Sequence, residues 1–224
     1  MFSFTQTPVM FTGLLVMFAW CTIWSLVELV GSRTAQDRIM NALHLFMSVV
    51  MLLMVPRPTW SALAGLIPTP VLSAIFVACA AWFVWAAFRS RRHAGHAGHE
   101  GHAGHGRHLA GHAVMFAAMA WHLAGMAVAM ASMKMRGDHG SHGGMSGDAL
   151  MTPPGMLVIA WMGLFFMTAL LVMGVSDLLG CLRPGAAPAR RAHLAMGAAM
   201  NLGMFWMSVG LIAPLMPFMK VLQL

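Results

Sequence analysis

Six apolar runs, each about 20 residues long, divide this chain and leave only short connections between them. A run of that length is what one α-helix needs to cross a bilayer. The sequence therefore predicts an all-α, polytopic membrane helix bundle with about six transmembrane helices. The runs fall near 9–31, 38–55, 70–88, 109–133, 154–176 and 193–214, so 1–224 reads as a single membrane domain. Only 8% of the residues are charged, against roughly 25% in a water-soluble domain. The first run is too long for a signal-peptide core and has no small-residue cleavage site, which predicts a retained anchor.

The net charge of +7 is spread between the runs and forms no continuous basic face, so nucleic acid is not an expected partner. The charges orient the bundle instead. The first, third and fifth connections hold Arg33, Arg38, Arg89, Arg91, Arg92, Arg107, Arg183, Arg190 and Arg191; the opposite side holds Arg57, Lys134, Arg136 and Lys220. Nine basic residues against four place the odd connections in the cytoplasm and both termini outside. The expected location is the cytoplasmic (inner) membrane of a bacterium, with the lipid bilayer as the first partner. Three cysteines, without a C-x-x-C pair, give neither a disulfide framework nor a cysteine zinc site. Cys21 and Cys79 fall in apolar runs and Cys181 in a short connection, and all three read as ordinary thiols.

Methionine accounts for 25 of the 224 residues, and it is not scattered. The second run carries His44, Met47, Met51 and Met54; the fourth carries His112, Met115, Met119, His122, Met126, Met130 and Met133. The sixth carries His193, Met196, Met200, Met204 and Met207. Steps of three and four keep these side chains on one stripe of each helix. The shared unit is H-x-x-M-x-x-x-M, once near the start of each even-numbered run. With Met at about one residue in nine, a given His matches both later positions about once in eighty trials. Twelve histidines would then yield well under one match, and three occur. At about 1.5 Å per residue, His44, His112 and His193 lie roughly 9, 7.5 and 3 Å beyond the nearest preceding arginine. The even runs all point from cytoplasm to exterior, so three imidazoles are expected to converge near the cytoplasmic interface, with Met rungs above them.

Such a donor set suits monovalent copper. Thioether sulfur is soft and neutral and selects Cu(I), while imidazole accepts copper and zinc alike. A neutral set also avoids placing carboxylates in hydrocarbon. The competing reading is packing, since flexible Met fills irregular core gaps well.

Two connections add metal donors. Residues 89–108 form an expected His-rich cytoplasmic loop with His93, His96, His99, His102, His105 and His108 at a period of three. It resembles the loops of zinc and nickel transporters; a solvated linker is the alternative. Residues 134–153 form an expected Gly-rich external loop with Met135, Asp138, His139, His142, Met145 and Asp148. It resembles the Met/His tracts of bacterial periplasmic copper proteins; a neutral polar loop is the alternative. His122 lies about 15 Å beyond His112, deep in the apolar run, where an ionisable group is a functional candidate. Its alternative is donation to a backbone carbonyl. Glu28 and Asp177 either orient the His layer by accepting an N–H or reach the interface to pair with Arg33 and Arg183.

The stretches L-H-L-F-M-S-V-V-M-L-L-M-V-P from Leu43 and A-A-W-F-V-W-A-A before Phe88 are similar to actinobacterial membrane proteins known only as a domain of unknown function. So are H-A-V-M-F-A-A-M at His112 and A-H-L-A-M-G-A-A-M at Ala192. The resemblance implies a six-helix bundle and carries His44, Met47, Met51, His112, Met115, Met119, His193, Met196 and Met200 over as functional positions. It implies no activity.

Three functions fit these residues. The first is a Cu(I)-binding membrane protein that stores, transports or delivers copper to a copper-requiring membrane or periplasmic protein. The second is a b-type haem protein with His or Met axial ligands. The third is an assembly or scaffold subunit whose Met stripes only pack. The chain has no G-x-S-x-G, H-E-x-x-H or P-loop pattern, so hydrolytic enzymes and metal-pumping ATPases are not expected.

Overall fold

The computed structural model describes residues 8–94, 101–138, 154–185 and 187–212. These form seven helices, with no strand among the described residues: α1 (Pro8–Gly31), α2 (Ala35–Met54), α3 (Arg57–Leu66), α4 (Thr69–Ala94), α5 (Gly101–Asp138), α6 (Pro154–Cys181) and α7 (Pro188–Ile212). Six of them, all but α3, are long and apolar enough to cross a membrane. The chain is a multi-pass membrane protein on this ground, with the lipid bilayer as its surroundings. Large apolar side chains on the outer faces, such as Val16, Ile23 and Val27 of α1 and Val158, Trp161 and Phe165 of α6, are exposed as lipid contact requires.

Local chemistry sets the helix ends. Thr34 caps α2, its hydroxyl oxygen accepting from Asp37 N at 3.1 Å, with Asp37 in the first turn where the helix dipole favours a negative charge. Pro56 caps α3 and Pro58 occupies its first turn, positions that need no backbone N–H. The sequence reading had only a connection at 56–70. The prolines that argue against a helix interior are here placed to start one. Further on, α4 continues to Ala94 and α5 begins at Gly101, so both helices extend into the segment expected to be a loop at 89–108. Cys181, expected in a connection, is the last residue of α6.

Sequence neighbours pack as antiparallel pairs: α1 with α2, α4 with α5, and α6 with α7. Contacts of α1 with α7, and of α5 with both α6 and α7, join the pairs into one bundle. Small residues permit the close crossings, as is usual between membrane helices. A Cβ at Gly203 of α7 would sit 2.6 Å from a ring carbon of Phe18 of α1, so glycine is what seats that ring. The buried core runs through the middle of the bundle. It contains Met47, Met51 and Met54 of α2, Met115 and Met119 of α5, and Met196, Met200, Met204 and Met207 of α7. The Met stripes thus face inward and meet one another.

Candidate metal site

Between α2, α5, α6 and α7 lies a cavity of about 490 Å³, and the first rungs of all three ladders line it. His44 comes from α2, His112 and Met115 from α5, and His193, Met196 and Met200 from α7. The H-x-x-M-x-x-x-M spacing explains why. On each helix the imidazole and the following thioethers lie on the inward stripe, and the three stripes share one seam.

The His44 and His112 rings meet edge to face, with centroids 4.3 Å apart and planes at 81°. Aromatic side chains hold them from the other side: Phe83 lies 5.3 Å from the His112 ring, and Phe116 lies 6.5 Å from that of His44. His193 lines the same cavity, and its Nδ1 lies 3.1 Å from Glu28 Oε1 of α1. An ionised carboxylate only accepts, so Nδ1 carries the hydrogen and Nε2 keeps the lone pair in the neutral ring. The same Glu28 oxygen accepts from Trp24 Nε1 at 2.9 Å, which fixes the carboxylate in place. Ser25 Oγ donates to Met196 Sδ at 3.6 Å, and Cys21 Sγ contacts the Met196 carbonyl at 3.8 Å, so α1 also braces the α7 ladder.

The three imidazoles expected to converge line one cavity but do not form a single close group. Among the described residues no three His, Cys, Asp or Glu side chains are grouped closely enough to hold a metal ion. His44 and His112 form a close pair, and His193 lines the cavity without completing a three-residue group. An ion held here would have to take thioether sulfur as well as imidazole nitrogen.

The other ladder positions separate by depth. Met47, Met51, Met54, Met119 and Met204 are buried in the core but do not line the cavity. Met126 is half-buried against that core, and Met130 is exposed. His122 is buried beside α7, its Nδ1 3.3 Å from Ser208 Oγ; its partner is a hydroxyl and not the carbonyl that was the alternative. Of the loop histidines, His96, His99, His139 and His142 lie outside the described residues, as does Met145. His93 falls in α4, and His102, His105 and His108 fall in α5.

Two further corrections concern the acids. Glu28 and Asp177 were expected, on one reading, to pair with Arg33 and Arg183. Among the described residues Glu28 meets His193 and not an arginine, so it takes the orienting role instead. Asp177 lines the cavity and accepts from Asn201 Nδ2 at 3.2 Å. Arg183 is engaged through its backbone carbonyl, which accepts from Arg191 Nη2 at 3.3 Å.

Sequence reasoning missed Met173 and Asn201, both of which line the cavity. Met173 lies on α6, off the even-helix pattern. Asn201 did carry a signal, as an amide within an apolar membrane run. A family model described as "Domain of unknown function (DUF5134)" matches residues 36–213, a stretch that contains all three ladders. No curated protein and no solved structure matches the chain.

Proposed function

Since the chain belongs to this family of unknown function, its role is read from its own residues, and we propose that it is an integral membrane protein that handles copper, binding Cu(I) through His and Met side chains in the cavity. One observation carries the reading. The first His and the following Met residues of the ladders on α5 and α7, together with His44 of α2, line one cavity. Packing alone asks for thioethers that fill space, and it gives no reason to gather three imidazoles around a void. The neutral nitrogen and sulfur donors match the soft monovalent ion, and they limit the charge brought into hydrocarbon to that of the ion itself.

The ring geometry weighs copper against haem. With metal–nitrogen bonds of about 2 Å, two imidazoles on opposite faces of an iron have centroids roughly 6 Å apart. Two imidazoles at a tetrahedral corner have centroids about 5 Å apart. The 4.3 Å between His44 and His112 is reached from the second by a small side-chain rotation, whereas a porphyrin plane would have to force the rings apart.

By the distribution of basic residues, the cavity lies near the cytoplasmic face of a bacterial inner membrane, with both termini outside. A copper-requiring membrane or periplasmic protein is the natural recipient if the ion moves outward. The test is the copper content of detergent-purified protein loaded under reducing conditions. Wild type should hold stoichiometric Cu(I), and His44→Ala, His112→Ala and His193→Ala should each lose it. A Soret band in the purified protein would replace the reading with the haem one. Neither metal nor Soret band would leave a packing role.

A further inference from the structure

One corner of the cavity is built from oxygen and not from nitrogen or sulfur. Asp177 of α6 and Asn201 of α7 meet there, and Ser176, beside Asp177 in the chain, also lines the cavity. Gly197 makes the meeting possible, because a Cβ at that position would sit 2.7 Å from Asp177 Oδ2. The carboxylate therefore rests directly against the backbone of α7.

The amide of Asn201 is half satisfied. Its Nδ2 donates to the carboxylate, and with Asp177 ionised the reversed amide would set oxygen against oxygen. That leaves Oδ1 buried and with no hydrogen-bond partner among the described residues, on a residue only 3% exposed. A buried amide oxygen without a donor is costly unless something electropositive meets it.

Charge points the same way. Two carboxylates serve this cavity, Asp177 directly and Glu28 through His193, and no Lys or Arg lines it among the described residues. Glu28 is met by His193 Nδ1 and Trp24 Nε1, with or without copper in the cavity. Asp177 remains, half-buried in a mostly apolar cavity where an unbalanced charge is costly. A monovalent cation balances it; a divalent ion would leave an excess positive charge, and a soft ion would prefer the thioethers. A hard cation seeks oxygen.

We propose that the Asp177–Asn201 corner binds a sodium ion, with the Asp177 carboxylate and Asn201 Oδ1 as protein ligands and water from the cavity completing the shell. The inference goes beyond the copper reading, which it supplies with a source of energy. A chain without a nucleotide-binding motif has to draw on a gradient or a partner to move an ion, and a sodium site sharing the copper cavity provides coupling to a gradient.

The experiment is radioactive sodium binding to detergent-purified, metal-stripped protein in choline buffer at fixed pH. Wild type should bind sodium saturably, one ion per chain. Asp177→Asn and Asn201→Leu should weaken binding at least about tenfold, the scale of losing a charged or desolvated partner. His193→Ala should keep it. If Asn201→Leu does not fold, the isosteric Asp177→Asn decides alone. Absence of saturable sodium binding in wild type, or wild-type binding in Asp177→Asn, overturns the proposal. Copper is measured separately on the same samples. Sodium binding without copper binding would remove the copper reading and leave the sodium site standing, and copper binding without sodium would do the reverse.

Discussion

The same three helices are open at one end and closed at the other. Around His44, His112 and His193 the inward stripes border a cavity of about 490 Å³. A few turns further along, Met54, Met119 and Met204 are buried in continuous core, and His122 is set beside Ser208. The residue types hardly differ between the two ends. What differs is what stands next to them. At the open end α7 carries Gly197 and α5 carries Gly111, and both line the space. At the closed end α1 drives Phe18 against Gly203 and fills it. A periodic Met stripe is therefore two things in one molecule: a potential ligand set where its neighbours are small, and a packing surface where they are large.

The sharpest way to break that contrast is to exchange residues at each end and measure copper. His112→Ala or His193→Ala should bring the Cu(I) content of purified protein down to the level of a metal-free control. Met51→Leu, at a fully buried position away from the cavity, should leave copper within about twofold of wild type, because a volume-conserving swap keeps the core filled. Equal copper loss from both substitutions would mean that the ladder acts along its whole length and that the division into two ends is wrong.

Stability should separate the ends in the opposite sense. Met51 has no exposed surface, and truncation to Ala should cost about 2–5 kcal/mol through lost packing and the cavity left behind. Chemical denaturation in detergent would measure it, with Met51→Leu expected to cost less than about 1.5 kcal/mol. Copper per folded chain should not change in either variant. A Met51→Ala protein as stable as wild type would show that this part of the core is loosely filled.

The six membrane spans were legible because length and apolarity alone fix them, whatever the tertiary contacts. The helix α3 was not, since Pro56 and Pro58 read as breakers and only the backbone shows them at a cap and in a first turn. The cavity histidines were legible through their repeat. The role of Glu28 was open, because spacing along one helix cannot rank Arg33, five residues away, against His193 on a helix that arrives 165 residues later. Asn201 escaped for the same reason: its meaning depends on Asp177, 24 residues earlier and on another helix. Periodicity reports which face of a helix turns inward. It does not report which inward faces enclose space.

Glu28 tests the open end at a residue outside the lining of this cavity. Its carboxylate holds the Nδ1 hydrogen of His193, so Glu28→Gln should leave the fold intact while loosening the ring's tautomer and orientation. Affinity for Cu(I), measured by competition with a chromophoric chelator, should fall about 10- to 100-fold. Glu28→Asp should restore less than the full affinity, the shorter side chain reaching less well. A Glu28→Gln protein with unchanged copper affinity but lowered stability would reduce the pair to a structural tie between α1 and α7.

The smallest effect is expected at the closed end. Ser208 faces His122 across the α5–α7 contact at 3.3 Å, and both residues are buried. Interhelical hydrogen bonds within membranes contribute on average about 0.6 kcal/mol, since side chains in the unfolded but inserted chain find other partners. Ser208→Ala should lower stability by about that amount and leave copper untouched, because His122 does not line the cavity of His44, His112 and His193. The Ala methyl fills most of the volume of the serine, so little packing is lost with the bond. If Ser208→Ala instead removed copper, His122 would have to be part of a path that continues from the cavity through the core. The closed end would then be a gate in the same ladder.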